Sequence, residues 1–221
     1  MRVELRAVAK GRRDLALPPT TLAFRSGRAT LAIAETEQRP TVLGLIASGR
    51  MRPDAGTVTL DGARATRSLR RRAALIDAPD VSDAPPNIST VGIVGEELMF
   101  AGRPADPISA RRWLDEHDLR AFSRVPIGDV PATDRIRMLL ELAVLRPGVD
   151  GLVLVSPDRH GGDPRAWWGL AQEFAGRGYA VLVIAGQAAA NLLTESDPSA
   201  PHRRPLPSGI RLRGTRSKAA R

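Results

Sequence analysis

The chain reads as an α/β protein. Two uninterrupted apolar runs, 151–155 and 179–185, have the composition of strands buried on both faces, as in a parallel sheet. A helical pattern over 164–175 lies between them and ends at Gly176 and Gly178, so the three form a strand–helix–strand unit. The first sixty residues read differently. Residues 3–8 alternate apolar and polar, and short strands recur around the turn signals Ser26-Gly27 and Asp61-Gly62. A β-rich N-terminal region leading into a parallel core is therefore expected.

In order, residues 3–8 suit an edge or half-buried strand, and 22–24 and 30–34 two more. Residues 41–49 carry a helical pattern, and 57–60 form a strand closed by Asp61-Gly62. Arg70, Arg71 and Arg72 precede the apolar run 73–76; the segment 77–86, with Ala78-Pro79 and Ala84-Pro85-Pro86, reads as loop. Ser89 or Thr90 is placed to cap a helix over 91–101. Asp106-Pro107 starts a second helix, to 118, with proline in its first turn. A third, 133–145, carries Ile136, Leu139, Leu140, Ala143 and Val144 on one face, has Thr133 or Asp134 as candidate cap, and stops at Arg146-Pro147-Gly148. Trp167 and Trp168 are adjacent on the 164–175 helix and cannot both face the core. A short helix, 187–193, precedes the tail.

The composition narrows the function. There is no cysteine, which excludes disulfides and thiolate chemistry and suits a cytosolic setting. His117, His160 and His202 show no metal-ligand spacing, and His160 reads as a surface-loop residue. No apolar run is long enough to span a bilayer, and the N-terminus reads as a strand rather than a signal peptide. The net charge is +9, with a pI near 11.3. Arg203, Arg204, Arg211, Arg213, Arg216, Lys218 and Arg221 lie beyond Asp197 with no acid among them, so the preceding chain is close to charge balance. The tail is expected to be disordered, with 210–212 a candidate short strand.

One stretch carries a family resemblance. The strand pattern at 30–34, the polar segment 35–40 and the helix at 41–49 are followed by Arg52-Pro53-Asp54-Ala55-Gly56-Thr57-Val58-Thr59-Leu60-Asp61-Gly62. This order resembles the start of the ATP-binding cassettes of ABC transporters, where a loop G-x-x-x-x-G-K-[ST] precedes R-P-D-x-G-x-V-x-L-D-G. The resemblance implies a P-loop NTPase-like cassette core with a β-subdomain and a small helical subdomain. Counted back from Pro53, the degenerate phosphate loop covers Ala34, Glu35, Thr36, Glu37, Gln38, Arg39, Pro40 and Thr41. The family's glycines fall on Ala34, Glu37 and Arg39 and its lysine on Pro40; only Thr41 matches. Backbone N–H groups freed by glycine and a lysine ammonium cradle phosphates. Here Glu35 and Glu37 bring negative charge and Pro40 removes an N–H.

The later motifs show the same departure. The signature position reads Val130, Pro131, Ala132, Thr133, Asp134, Arg135, without glycine or serine. The Walker B aspartate and glutamate positions hold Val155 and Ser156, which supply neither a magnesium ligand nor a base. Asp158 lies three residues past the metal position. The switch histidine position holds Gly186, the family's glutamine maps near Ala78, and the adenine-stacking aromatic falls near Arg12. Asp163, before Pro164, resembles the end of the D-loop and equally suits a helix cap.

On these residues no catalytic residue and no metal site is assigned, and no cofactor is expected; ATP and Mg2+ follow only where the family function is retained, the chain then being an ABC-type ATPase. The resemblance implies a non-catalytic cassette in the cytoplasm, at the inner face of the cell membrane, acting as structural or regulatory partner of a membrane transport assembly. Its partners would be an integral membrane transport subunit and a second cassette in a homo- or heterodimer. The alternatives are an ATP-binding subunit working with a partner cassette, and a binder of anionic lipid or nucleic acid through the basic tail. The expected organisation is 1–84 for the β-subdomain and phosphate-loop part of the core, 85–135 for the helical subdomain, 136–197 for the rest of the core, and 198–221 for the tail.

Overall fold

The computed structural model describes residues 1–35 and 39–196. The phosphate-loop positions Thr36, Glu37 and Gln38, and the expectations about the tail, lie outside the described residues. The strands form two sheets. β1 (Arg2–Lys10), β2 (Leu17–Arg25) and β4 (Ala55–Leu60) make an antiparallel sheet in the order β2-β1-β4. β3 (Arg28–Ile33), β5 (Ala73–Ile76), β6 (Gly151–Val155) and β7 (Ala180–Ala185) make a parallel sheet in the order β3-β7-β6-β5. Helices α1 (Arg39–Ala47), α2 (Thr66–Arg72), α3 (Thr90–Phe100), α4 (Pro107–Glu116), α5 (Ala132–Val144), α6 (Pro164–Gly176) and α7 (Gln187–Ser196) complete the chain. The mixed α/β class expected from the apolar runs is the one observed.

The parallel sheet is buried on both faces, and its side chains divide by twos. Val153 and Val155 of β6, with Leu182 and Ile184 of β7, join the core beneath α1 and the antiparallel sheet. Leu152, Leu154, Val181 and Val183 join the opposite core, under α5 and α6, with Trp167 and Phe174. Trp168 is half-buried against that core. Each fully buried Leu, Ile or Val stabilises by about 1.5–3 kcal/mol. α1 lies so close on the sheet that a Cβ at Gly44 would stand 2.7 Å from Val155 Cγ2. A third core, of Ile93, Val94, Leu98, Trp113, Leu114 and Ile127, gathers α3 and α4 against Met138 and Leu142 of α5.

Four sequence expectations need correction. Of the two readings of residues 3–8, edge or half-buried, only the second holds: β1 is half-buried and central in its sheet, because both β2 and β4 pair with it. β2 runs well past 22–24, and its Pro18 and Pro19 are tolerated because β2 is the edge. α2 has the single buried residue Leu69 and therefore no apolar stripe to announce it. α5 begins after Pro131 with no side-chain cap; Thr133 and Asp134 lie inside its first turn. Asp106 does cap α4, accepting from the N–H groups of Ile108 and Ser109 at 2.9 and 3.1 Å. Among the described residues no helix is long and apolar enough to cross a membrane.

Gly56 is required where β4 meets the irregular part of β1. Its φ is +78°, and a Cβ there would run into the carbonyl oxygens of Arg6 and Ala7. Gly62 has φ +87° with open space around it. Gly62→Ala should therefore cost only the conformational part, about 1–3 kcal/mol. Gly56→Ala adds a backbone clash and should lower the melting temperature further, by about 2–4 °C for each additional kcal/mol. Thermal unfolding of the two variants checks the order.

Candidate functional site

Parallel pairing brings four strand ends to one edge of the sheet. Ile33 aligns with Ala185, Val155 with Ile184, and Ile76 with Leu154. The residues that follow, Glu35 after β3, Asp77 after β5, Ser156 and Asp158 after β6, and Gly186 after β7, therefore crowd one rim. In open α/β sheets the crevice at the carboxyl ends of the strands is where ligands bind.

Asp77 is the centre of this rim. Its side chain is fully buried. Oδ1 accepts from Nη2 of Arg135 at 2.9 Å and from Nη2 of Arg159 at 3.0 Å. Oδ2 lies 2.6 Å from Nε2 of His160. The same Nε2 stands 3.0 Å from Nε of Arg159, so the imidazole sits between the guanidinium and the carboxylate. Arg135 is itself buried; its Nη1 donates to the Ile127 carbonyl at 3.2 Å, and its Nε has no partner. Arg159 also reaches Asp83 at 3.7 Å. Burial alone would raise the Asp77 pKa. The His160 hydrogen bond and the charges of Arg135 and Arg159 outweigh it and hold the carboxyl below its ordinary value.

A second pair of carboxylates sits at the start of α7. Asp158 Oδ2 accepts from the Gly186 N–H at 3.0 Å, and Glu35 Oε1 accepts from the Gln187 N–H at 2.7 Å. Both lie at the positive end of that helix. Asp158 Oδ1 is buried without a partner. Ser156 turns the chain out of β6 with φ 48°, an uncommon conformation for serine, and its N–H donates to the Ile184 carbonyl at 2.7 Å.

The remaining sequence candidates fall as follows. Ala34 is buried and its N–H donates to the Ala185 carbonyl at 3.0 Å. Arg39, Pro40 and Thr41 form the first turn of α1; Arg39 Nε is buried without a partner, and the Thr41 hydroxyl stands 3.5 Å from the Pro79 carbonyl. Val155 is packed into the core against α1. Asp163 caps α6, accepting from the Arg165 N–H at 2.9 Å, and its ion pair is with Arg165, at 3.5 Å, rather than with the rim network. His160, expected on a surface loop, is instead a member of the Asp77 network. The sequence reading missed Asp77 and gave Arg135 no role. The one available signal was an acid placed immediately after the buried run 73–76.

No family model matches the chain, and no curated protein matches it. Solved structures do. One, assigned as an ABC transporter ATP-binding protein of Pyrococcus furiosus, is 13% identical with a TM-score of 0.58, over 85% of this chain and 92% of that one. An ATP-binding subunit of an ABC transporter is 16% identical with a TM-score of 0.56, over 86% and 81%. cbiO1 from Clostridium perfringens, part of the ABC transporter complex cbiONQ, is 15% identical with a TM-score of 0.56, over 83% and 77%. The architecture of two sheets and flanking helices is thus an ABC ATP-binding cassette fold.

Removing Asp77 leaves Arg135 as an unpaired buried charge, so Asp77→Asn should destabilise the fold by about 3–5 kcal/mol. The pH dependence has a definite sign. A folded pKa held below the unfolded value of about 3.9 gives stability that is complete above that value and is lost as pH falls through the folded pKa. The difference between the parent and Asp77→Asn should hold steady from about pH 7 to 5 and shrink below about pH 4. Urea unfolding of both proteins across that range measures it.

Proposed function

We propose that the chain is a non-catalytic cassette, with the fold of an ABC ATP-binding subunit and the role of a structural or regulatory partner in a membrane transport assembly. One observation carries the reading: the rim's charged groups pair chiefly with one another and with the backbone, Asp158 Oδ1, Arg39 Nε and Arg135 Nε being the buried atoms left over. Asp77 binds Arg135, Arg159 and His160, while Glu35 and Asp158 hold the N–H groups that open α7. A magnesium triphosphate does not fit these residues. It brings negative charge to a place already lined by Glu35 and Asp158, and it finds proline at 40 and valine at 155 where the family has its lysine and metal ligand. No catalytic step is therefore assigned, and ATP and Mg2+ belong to the fold's relatives.

The partner reading rests on the segment 77–90 and the helix after it. Val81 and Ile88 are half exposed on this segment, and Thr41 and Arg159 contact it at Pro79 and Asp83. An integral membrane subunit docked there would place the chain at the cytoplasmic face of the membrane. In this reading 85–135 is the helical subdomain, set between the β-rich and phosphate-loop part at 1–84 and the rest of the core at 136–197. A second cassette as partner is compatible with it.

Isothermal titration of the full chain with ATP and magnesium tests the proposal. No saturable heat is expected up to millimolar nucleotide. Micromolar binding would sink it and make the chain an ATP-binding subunit. Partner capture is a separate test: Val81→Glu with Ile88→Glu should abolish co-purification with a membrane transport subunit.

A further inference from the structure

A basic and apolar face lies at the other end of the parallel sheet, where the strands begin. α2 runs directly into the first residue of β5 and presents Arg67, Arg70 and Arg71, all exposed. Arg67 and Arg71 are one turn apart and lie opposite the buried Leu69. Among the described residues none of the three pairs with an acid; Arg71 reaches only the Ser68 hydroxyl, at 3.5 Å. Residues 62–76 contain no acid at all. Arg50 lies beneath this face, its Nη1 donating to the carbonyls of Ser48 and Ala73 at 3.2 and 2.8 Å. Burial, and then the like charges of Arg146 and Arg70, hold its pKa below the ordinary value. The turn that carries Arg146 lies against the end of α2: the Asp150 N–H donates to the Arg72 carbonyl at 3.0 Å, and Arg72 itself is neutralised by Asp61 and Asp150.

Arg146 continues the face to an apolar step. Its guanidinium lies 5.7 Å from the ring centroid of Phe100, and its Nη2 donates to Glu97 at 2.5 Å. Phe100 and Met99, at the end of α3, are both 58% exposed. A phenylalanine and a methionine in water beside a crowd of arginines is costly on two counts: exposed apolar area and like-charge repulsion.

We propose that this face docks on an anionic lipid surface, with Arg67, Arg70, Arg71 and Arg146 engaging headgroup phosphates and Phe100 with Met99 entering the acyl boundary. An anionic bilayer relieves both costs together: it supplies diffuse negative charge and, a few ångströms deeper, an apolar layer. Guanidinium forks suit phosphate oxygens. Nucleic acid would answer the arginines and leave Met99 in water. The inference does not depend on the fate of the nucleotide site, and ATP titration is silent on it.

The absence of cysteine allows a reporter at one chosen position of the full chain. Phe100→Cys carries an environment-sensitive fluorophore; Ala23→Cys, exposed on β2, is the control. Both are mixed with phosphatidylcholine vesicles, with and without phosphatidylglycerol. The label at 100 should brighten severalfold and shift to the blue only with phosphatidylglycerol, while the label at 23 stays unchanged. Arg67→Glu, Arg70→Glu and Arg71→Glu together should weaken vesicle sedimentation of the unlabelled chain by more than about tenfold, from about 1 kcal/mol per basic residue. Met99→Ser with Phe100→Ser should weaken it while leaving its salt dependence. All five side chains are exposed, and unchanged melting curves confirm folding. Sedimentation with a silent label at 100 assigns binding to the tail and overturns the proposal. So does equal response at 23 and 100, undiminished binding by the charge-reversed chain, no sedimentation, or displacement of vesicles by duplex DNA with the label at 100 still in water.

Discussion

A carboxylate sealed from water at the end of β5 must be compensated where it stands. Asp77 has no exposed side-chain surface, and an uncompensated charge in such a place costs several kcal/mol. Its partners come from distant parts of the chain: Arg135 from the first turn of α5, Arg159 and His160 from the turn after β6. Meeting the electrostatic demand of one residue therefore fixes three things together. The strand end, the helix that carries the third core, and the exit from β6 are held in one relation. Arg135 extends the tie by donating to the Ile127 carbonyl, which stands over that core.

The apolar framework explains why this tie has to be polar. The parallel sheet closes its two faces with alternate side chains, and the third core, which gathers the α3–α4 pair, draws on α5 and on none of the strands. α5 serves both cores, giving Ile136 and Leu140 to one and Met138 and Leu142 to the other. An amphipathic helix shared in this way can rotate or slide unless something specific pins its start. Arg135, bound to Asp77 at one end of α5, and Arg146, bound to Glu97 just past the other, pin its ends, and Arg137 and Glu141 pair with Glu173 and Arg177 between them. Ion pairs are directional where dispersion contacts are not, so here they set register more than they add stability.

The sequence discloses what is local and hides what is not. The runs 73–76, 151–155 and 179–185 appear as strands because burial on both faces leaves an unbroken apolar signature. Asp106-Pro107 and Asp163-Pro164 mark helix starts because a cap acts on N–H groups two or three residues away. β1 admits an edge reading because alternation reports which face is buried and carries no information about lateral neighbours. α2 is invisible because one leucine is its whole anchor. The rim network is hidden more deeply. Asp77 and Arg135 are 58 residues apart, and a lone acid after a strand has no pattern that names its partner. The resemblance to cassettes directs attention to Glu35, Val155, Ser156 and Gly186, while Asp77 and Arg159, which fill the rim, stand one to a few positions away from the family's own.

That displacement bears on how the proposed loss of nucleotide is stabilised. A site that merely lacked its lysine would leave the partly buried Gly186 N–H without its acceptor, and a buried unsatisfied donor costs about 1–3 kcal/mol. In this chain a carboxylate takes that donor, and guanidiniums and an imidazole take the central carboxylate. Restoring a lysine at 40 or an aspartate at 155 would then not recover a phosphate site. An aspartate at 155 would enter the core against α1, where Val155 is fully buried, and the hydrogen bonds of Glu35 and Asp158, 2.7 and 3.0 Å, require no ligand to form. On the proposed reading, the fold is kept because its former ligand contacts have become contacts of the fold itself.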